Sequence, residues 1–312
     1  MKDIAIYGFG KLGEGILKGL IDRGISVYHD SYNGPNDNES IVDYENIQVD
    51  ILNSSKLKNS LYNKDLKNDV GYIIVTLVGS VLEKEIDFLL SLDIPLIILS
   101  TKYDEALISE KAKKAEVKVL MSQNMAFGIV DFWNRIERMD KLDESIQIAA
   151  NVIESHQSPK ADISGSAIKA LTLFKDKGFN VTFPEEGSFK IGEDGQSGSF
   201  TWLRTKKSQI DAGISEEYLS GHGYHIIKLV FEIYDFNFIR TLSKYFSSLE
   251  KYSIEGIFNF SVHYEEKNVF IIHNINGRDI YTDGVVKSID FLETKTNGIY
   301  SAIDVINSIA SE

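Results

Sequence analysis

The chain has 312 residues, of which 43% are hydrophobic and 25% charged; its formal net charge is −13 and it contains no cysteine. Such a composition belongs to a globular protein long enough for two domains. The acidic balance argues against nucleic acid or an anionic membrane as a partner, since both need a basic face, and without cysteine there are no disulfides and no thiolate zinc sites.

Met1 runs directly into a strand pattern with no signal peptide ahead of it, and no apolar run approaches the roughly 18 residues of a membrane span. A cytoplasmic protein is expected. Asp3–Tyr7 (DIAIY) is a short apolar run that reads as a buried parallel strand. The turn GFGKLG follows, and a helix then carries Leu12, Ile16, Leu17 and Leu20 on one face until Gly24 stops it. Ile25–His29 reads as the next strand, ending at Asp30. Further strands are expected at Gly71–Leu77, Ile94–Ser100 and Val117–Met121, with helices at Val81–Leu92 and Tyr103–Ala115 between them. Strand and crossover helix repeated in this way build a Rossmann-like, doubly wound parallel sheet of the α/β class, which binds ligands at the carboxyl ends of its strands.

Those ends hold Gly8, Gly10, Lys11, Leu12, Gly13, Asp30, Thr76, Leu77, Thr101, Asn124 and Met125, the candidate cofactor-binding residues. Each glycine has a mechanical task. Gly8 permits a tight turn, Gly10 lets a pyrophosphate approach the backbone, and Gly13 lets helix pack on strand. Asp30 would accept hydrogen bonds from an adenosine ribose. No Lys or Arg lies between Ser31 and Asn38 to meet a 2′-phosphate, so NAD(H) is favoured, with NADP(H) as the second option.

From about Phe127 the alternation weakens. Phe127–Leu142 reads as a helix, Ser145–Ser155 as a strand and Ser166–Lys177 as a helix closed by Gly178. The following region is β-rich, with strands at Tyr224–Tyr234, Ile257–Tyr264 and Val269–His273, and a helix at Asn237–Lys251 between them. Interleaved polar residues suggest a mostly antiparallel open sheet with one wet face. Glu185–Gln209, rich in Gly, Ser and Lys, reads as a mobile loop. Gly284–Leu292 and NGIYSAIDVI resume α/β character. The expected organisation is a dinucleotide-binding domain over 1–125, completed by 284–312, and an α+β domain over 126–283, to which the family resemblance given below assigns substrate binding and oligomerisation.

Chemistry concentrates in Glu154–Leu171, ESHQSPKADISGSAIKAL. His156 has an unperturbed pKa of about 6.5, suited to a general acid, and Lys160 can neutralise a carboxylate. The amides of Ser164, Gly165 and Ser166 open a helix, and a helix N-terminus accommodates an anion. His222 and His225 in SGHGYH are weaker candidates, whereas His263 and His273 read as sheet-face residues. The histidines show no metal-binding spacing, and no metal is expected.

Four stretches together resemble the dihydrodipicolinate reductase family: GFGKLG its cofactor turn, SQNMAFG (122–128) its interdomain segment, ESHQSPKADISGSA (154–167) its signature, and 274–306 its closing portion. The resemblance implies reduction of a small cyclic imine or unsaturated dicarboxylate with NAD(P)H in lysine and diaminopimelate biosynthesis. It implies His156 as proton donor and Lys160 as the catalytic lysine. Gly165 and Ser166 would hold a substrate carboxylate, with Gln157 and Ser164 beside them, and the assembly would be a homo-oligomer, dimer or tetramer. The sequence departs from the family signature in that Gln157 stands where the second histidine is usual, Ser158 and Pro159 precede the lysine, and the turn Asp-Ile-Ser-Gly-Ser is one residue shorter and lacks proline. These departures keep open a paralogue that reduces another imine or a keto acid, and a non-catalytic NAD-binding oligomeric protein.

Overall fold

The computed structural model describes residues 2–32, 40–44, 47–52, 56, 58, 66–158, 160, 162–219, 223–233 and 235–309. His222 and Pro159 lie outside the described residues. The chain divides into two compact units, one of 1–127 with 278–312 and one of 128–277.

In the first unit, β1 (Asp3–Tyr7), α1 (Lys11–Asp22), β2 (Asp30–Tyr32), β3 (Ser40–Tyr44), β4 (Ile47–Leu52), β5 (Val70–Val75), α2 (Gly79–Ser91), β6 (Leu96–Ile98), α3 (Glu105–Ala115) and β7 (Lys118–Met121) follow in chain order. The eight-stranded sheet runs β14-β7-β6-β5-β1-β2-β4-β3, where β14 (Gly298–Ser301) comes from the far end of the chain. Every described pairing is parallel except the β3–β4 hairpin at one edge. The order reverses on either side of β1, the switch point of a doubly wound sheet. Strands buried on both faces explain the continuous apolar runs: Ile73, Val75, Leu96 and Ile98 pack with Leu82, Ile86 and Leu89 of α2 and Ile108 of α3. Asp104 caps α3 by accepting from the Leu107 N–H at 3.0 Å.

The strand expected at Ile25–His29 is not there. Ile25 N–H still serves the end of α1, donating to Leu20 O, and Val27 makes only an isolated bridge to Ile4. Pairing begins at Asp30, and Ser31 Oγ donates to Ile6 O at 2.5 Å to fix β2 beside β1. Asp30 therefore opens the strand instead of closing it.

The second unit contains α4 (Phe127–Arg138, its first residue counted with the first unit), β8 (Ile148–Ser155), α5 (Gly165–Asp176), β9 (Gly195–Ser197), β10 (Phe200–Leu203), α6 (Lys206–Asp211), β11 (Gly223–Phe231), α7 (Phe236–Ser247), β12 (Phe258–Glu265) and β13 (Asn268–Ile275). Its six strands run β12-β13-β11-β8-β10-β9, mixed because β10 is parallel to β8 while the other pairings are antiparallel. Along β11, Gly223, His225, Ile227, Leu229 and Phe231 are buried, while Tyr224, Ile226, Lys228 and Val230 are half-buried on the other face. This period of two gives the sheet a helix-covered face and an open one. Beneath the covered face, Phe132 packs on Phe174, Phe246 and Phe260 at ring-centre separations of 5.5–6.2 Å.

The segment Glu185–Gln209 is not a loop throughout. It supplies β9, β10 and the start of α6, because Phe200, Trp202 and Leu203 bury their side chains against β8. The polar residues that mask this strand are turn residues: Gly198 has φ +57°, which brings its backbone against Thr182 O and Phe183 O. Two helices, α8 (Asp279–Glu293) and α9 (Ala302–Ile309), close the chain in the first unit. No described helix is long and apolar enough to cross a membrane.

Candidate active site

In the first unit the glycine turn sits between β1 and α1. Gly8 has φ +119°, and a Cβ there would lie 2.8 Å from the Thr76 backbone. Thr76 Oγ1 donates to Gly8 O. A Cβ on Gly13 would fall on Gly8 O, whereas one on Gly10 would meet nothing within 4 Å. Two glycines thus close the turn, and the third leaves open space in front of α1. That helix has Gly10 at its N-cap and no side-chain cap, so its first-turn amides are not spent on a capping side chain. This arrangement fits a pyrophosphate, with Lys11 and Leu12 in the same turn. Arg278, whose guanidinium donates to Lys11 O, lies along Gly15 of that helix.

The other sequence-derived cofactor positions differ in availability. Leu77 is buried and Thr101 exposed. Asn124 Oδ1 accepts from the Ala126 N–H at 2.8 Å, closing its own turn. Met125 is 1% exposed and packs against Gly284 and Ser288 of α8, so its side chain is committed to the core. Asp30 is buried, with Oδ1 2.7 Å from His29 Nδ1.

In the second unit one row of residues crosses five strands on the covered face. Trp202 (β10) pairs with Glu154 (β8), Glu154 with His225 (β11), His225 with His273 (β13), and His273 with Phe260 (β12). The middle of this row is polar and buried. Glu154 is 0% exposed. Its Oε1 accepts from Arg204 Nη2, and its Oε2 accepts from the Ser164 N–H at 2.8 Å and lies 3.4 Å from His156 Nδ1. Burial pushes the Glu154 carboxyl up, while Arg204, the Ser164 amide and Lys160 pull it back. Arg204 also donates to Leu203 O and Asp162 O and faces the Phe189 ring at 5.3 Å.

His156 follows β8 on the same face as Glu154, with its ring 5.3 Å from that of His225. Gly223 makes room for it, since a Cβ there would lie 2.8 Å from His156 Nε2. His225 Nδ1 and His273 Nε2 are 2.8 Å apart, and His273 stacks on Phe260. Burial lowers both histidines, His273 to about 3 and His225 well below its usual value, so both are neutral.

Lys160 Nζ, 27% exposed, holds Asp162 Oδ1 at 2.9 Å, and its N–H donates to Gln157 O, folding the loop back on itself. Gln157 is exposed. Ser164 is the N-cap of α5 without a side-chain cap bond, and a Cβ on Gly165 would meet nothing within 4 Å. Because the Ser164 amide is spent on Glu154, the amides open to an anion are those of Gly165 and Ser166. The loop therefore joins an imidazole, an ammonium group and an open helix start on one rim.

Sequence reasoning missed Glu154 and Arg204 and undervalued His225. A glutamate two residues before His156 on a strand shares its face, which was a usable signal. Arg204 carried none, because the strand it follows was hidden. Glu154, His156 and His225 also bring ligand-type atoms within 4.8 Å of one another. Arg204 on the carboxylate and Lys160 nearby set positive charge against a cation there.

A family model described as dihydrodipicolinate reductase, C-terminus, matches residues 128–306. The chain is 21% identical over 305 residues to 4-hydroxy-tetrahydrodipicolinate reductase 1, chloroplastic, of Arabidopsis thaliana, covering 95% of this chain and 75% of the relative. It is 24% identical over 310 residues to the probable chloroplastic reductase 1 of Oryza sativa subsp. japonica, covering 95% and 76%. Among solved structures, dipicolinate-bound dihydrodipicolinate reductase from Paenisporosarcina sp. TG-14 superposes with TM-score 0.57 at 14% identity over 96% of this chain and 97% of that one, a likeness of fold. This chain belongs to the dihydrodipicolinate reductase family.

Proposed function

We propose that this protein is an NAD(P)H-dependent reductase of a small cyclic imine dicarboxylate, of the dihydrodipicolinate type used in lysine and diaminopimelate biosynthesis. The first unit is the dinucleotide-binding domain, and the second binds substrate. The observation that carries the reading is the rim formed by His156, Lys160 and the start of α5, with the buried Glu154 behind it.

The Gly8–Gly13 turn and the first turn of α1 would hold the pyrophosphate, and the bound nicotinamide supplies a hydride. NAD(H) is the preferred form, since no Lys or Arg lies between Gly24 and Asn38. His156 would supply the proton that the reduced substrate takes up. Lys160 exchanges its Asp162 contact for one substrate carboxylate. The Gly165 and Ser166 amides receive the other, the kind of ligand named for the dipicolinate-bound bacterial relative. Of the cluster Glu154, His156 and His225, His156 acts as the proton donor with the Glu154 carboxylate behind it, and His225 is a neutral neighbour.

The open face of the six-stranded sheet presents Ile226, Val230, Phe270 and Ile272 half-buried, which favours a homo-oligomer formed through that face. The test of function is calorimetry with NADH and NADPH, followed by reduced-cofactor oxidation on adding dihydrodipicolinate and a panel of keto acids. Turnover of dihydrodipicolinate is expected. Gln157 favours one second reading, a paralogue on the same scaffold, for which a keto acid or another imine would be the better substrate. Cofactor binding without turnover of any compound would make the protein a non-catalytic NAD binder.

A further inference from the structure

We infer that Glu154, clamped by Arg204, is a positioning residue that couples the proton donor to the anion-binding turn. The inference rests on His156 being the proton donor proposed above. One oxygen of Glu154 serves both parts of the site: Oε2 accepts from the Ser164 amide at 2.8 Å and stands 3.4 Å from His156 Nδ1. The other oxygen is held by Arg204, whose side chain is 0% exposed and is further tied to Leu203 O and Asp162 O. The carboxylate is thereby fixed in the sheet row between Trp202 and His225. It cannot turn away from His156 without abandoning Ser164 as well.

The chemical consequence concerns the two nitrogens of His156. A carboxylate beside Nδ1 favours the tautomer with its proton there and stabilises the imidazolium. The proton exchanged with substrate then leaves from Nε2, on the side where Gly223 lacks a Cβ that would sit 2.8 Å away. A separation of 3.4 Å is long for a hydrogen bond, and such contacts commonly tighten when substrate binds. An anion drawn to the Gly165 and Ser166 amides pulls on the same turn that Glu154 grips through Ser164. Binding of the substrate carboxylate and orientation of the acid are therefore linked through one group. Among the described residues, the other charged groups and histidines around His156 include Lys160 and Asp162 on its own loop, Arg204 after β10, His225 on β11 and, behind it, His273 on β13. The last two are neutral and do not compete with Glu154 for the imidazolium.

The test reads His156 directly. Full-length protein with nitrogen-labelled imidazoles is titrated by NMR as wild type, as Glu154→Gln, and as Glu154→Gln/Arg204→Met. The double variant removes the cation that the single change strands in the core. In wild type the neutral ring should be predominantly the Nδ1–H tautomer. In either folded variant the Nε2–H form should grow and the protonation midpoint move to lower pH. Turnover of dihydrodipicolinate should fall about 10- to 100-fold in kcat with the KM for NADH unchanged. An unchanged tautomer and midpoint in a variant with native circular dichroism would overturn the inference. Because the NMR readout needs no turnover, a wild-type protein that shows the Nδ1–H tautomer but reduces no imine would refute the reductase reading alone.

Discussion

The two sheets prepare their polar groups in opposite ways. In the first unit the candidate site is backbone: a turn closed by Gly8 and Gly13, open at Gly10, ahead of a helix with no capping side chain. In the second unit it is side chain: a carboxylate, a guanidinium and three imidazoles assembled from β8, β10, β11 and β13. A backbone site tolerates variation in every residue but its glycines. A side-chain site depends on a fully satisfied buried network, which is costly when half complete. That difference bears on specificity, since a pyrophosphate is common to many enzymes whereas the substrate is not.

The sharpest way to break the comparison is at the proton donor. His156→Asn should lower kcat for the imine by about 10²- to 10⁴-fold while leaving NADH affinity within a factor of about two. Parallel loss of NADH binding would mean that the two sites are not separable. Next come the glycines. Gly13→Ala should abolish dinucleotide binding and destabilise the fold by about 1–3 kcal/mol, because its Cβ falls on Gly8 O. Gly10→Ala should leave the melting temperature unchanged yet weaken NADH binding, since its Cβ enters open space where phosphate would sit. Equal melting losses for both would contradict the assignment of separate tasks.

A smaller effect tests the buried histidines. His225 and His273 both have folded values below the unfolded value of about 6.5. The unfolded chain therefore binds protons first as pH falls. Stability is fully present above about pH 6.5 and drains as pH drops toward about 3, the folded value of His273, at about 1.4 kcal/mol per pH unit for that histidine. Denaturant melts across this window should show that slope, and His273→Gln should flatten it. The glycine turn has no such group, so a fragment-independent probe of α1 should follow global unfolding without a slope of its own.

Much of the first unit was legible because parallel strands announce themselves as apolar runs broken by crossover helices; β1, β6 and β7 lie within the stretches expected for them, and β5 begins one residue ahead of its own, at Val70. The exception is β2, where Ile25–His29 has a strand's composition but spends its first amide on the end of α1. The β3–β4 hairpin is edge structure, too polar on one side to stand out. In the second unit β10 was hidden because its four residues follow the Gly- and Ser-rich stretch Gly195–Ser199 and lead within two residues into α6. With it went Arg204, the partner that lets Glu154 be buried. The nearest local signal, a glutamate two positions from a histidine on a strand, says only that the two share a face. What holds them there comes from residues 50 positions away, and no spacing rule reaches that far.

The most direct measurement of the central claim is a single-turnover assay. Wild-type and His156→Asn proteins, each saturated with NADH as verified by calorimetry, are mixed with dihydrodipicolinate while reduced-cofactor absorbance is followed. The wild type should oxidise bound NADH in one burst, and the variant should do so at least about 100-fold more slowly. Equal rates for the two proteins, or a wild type that binds neither NADH nor NADPH, would contradict the account.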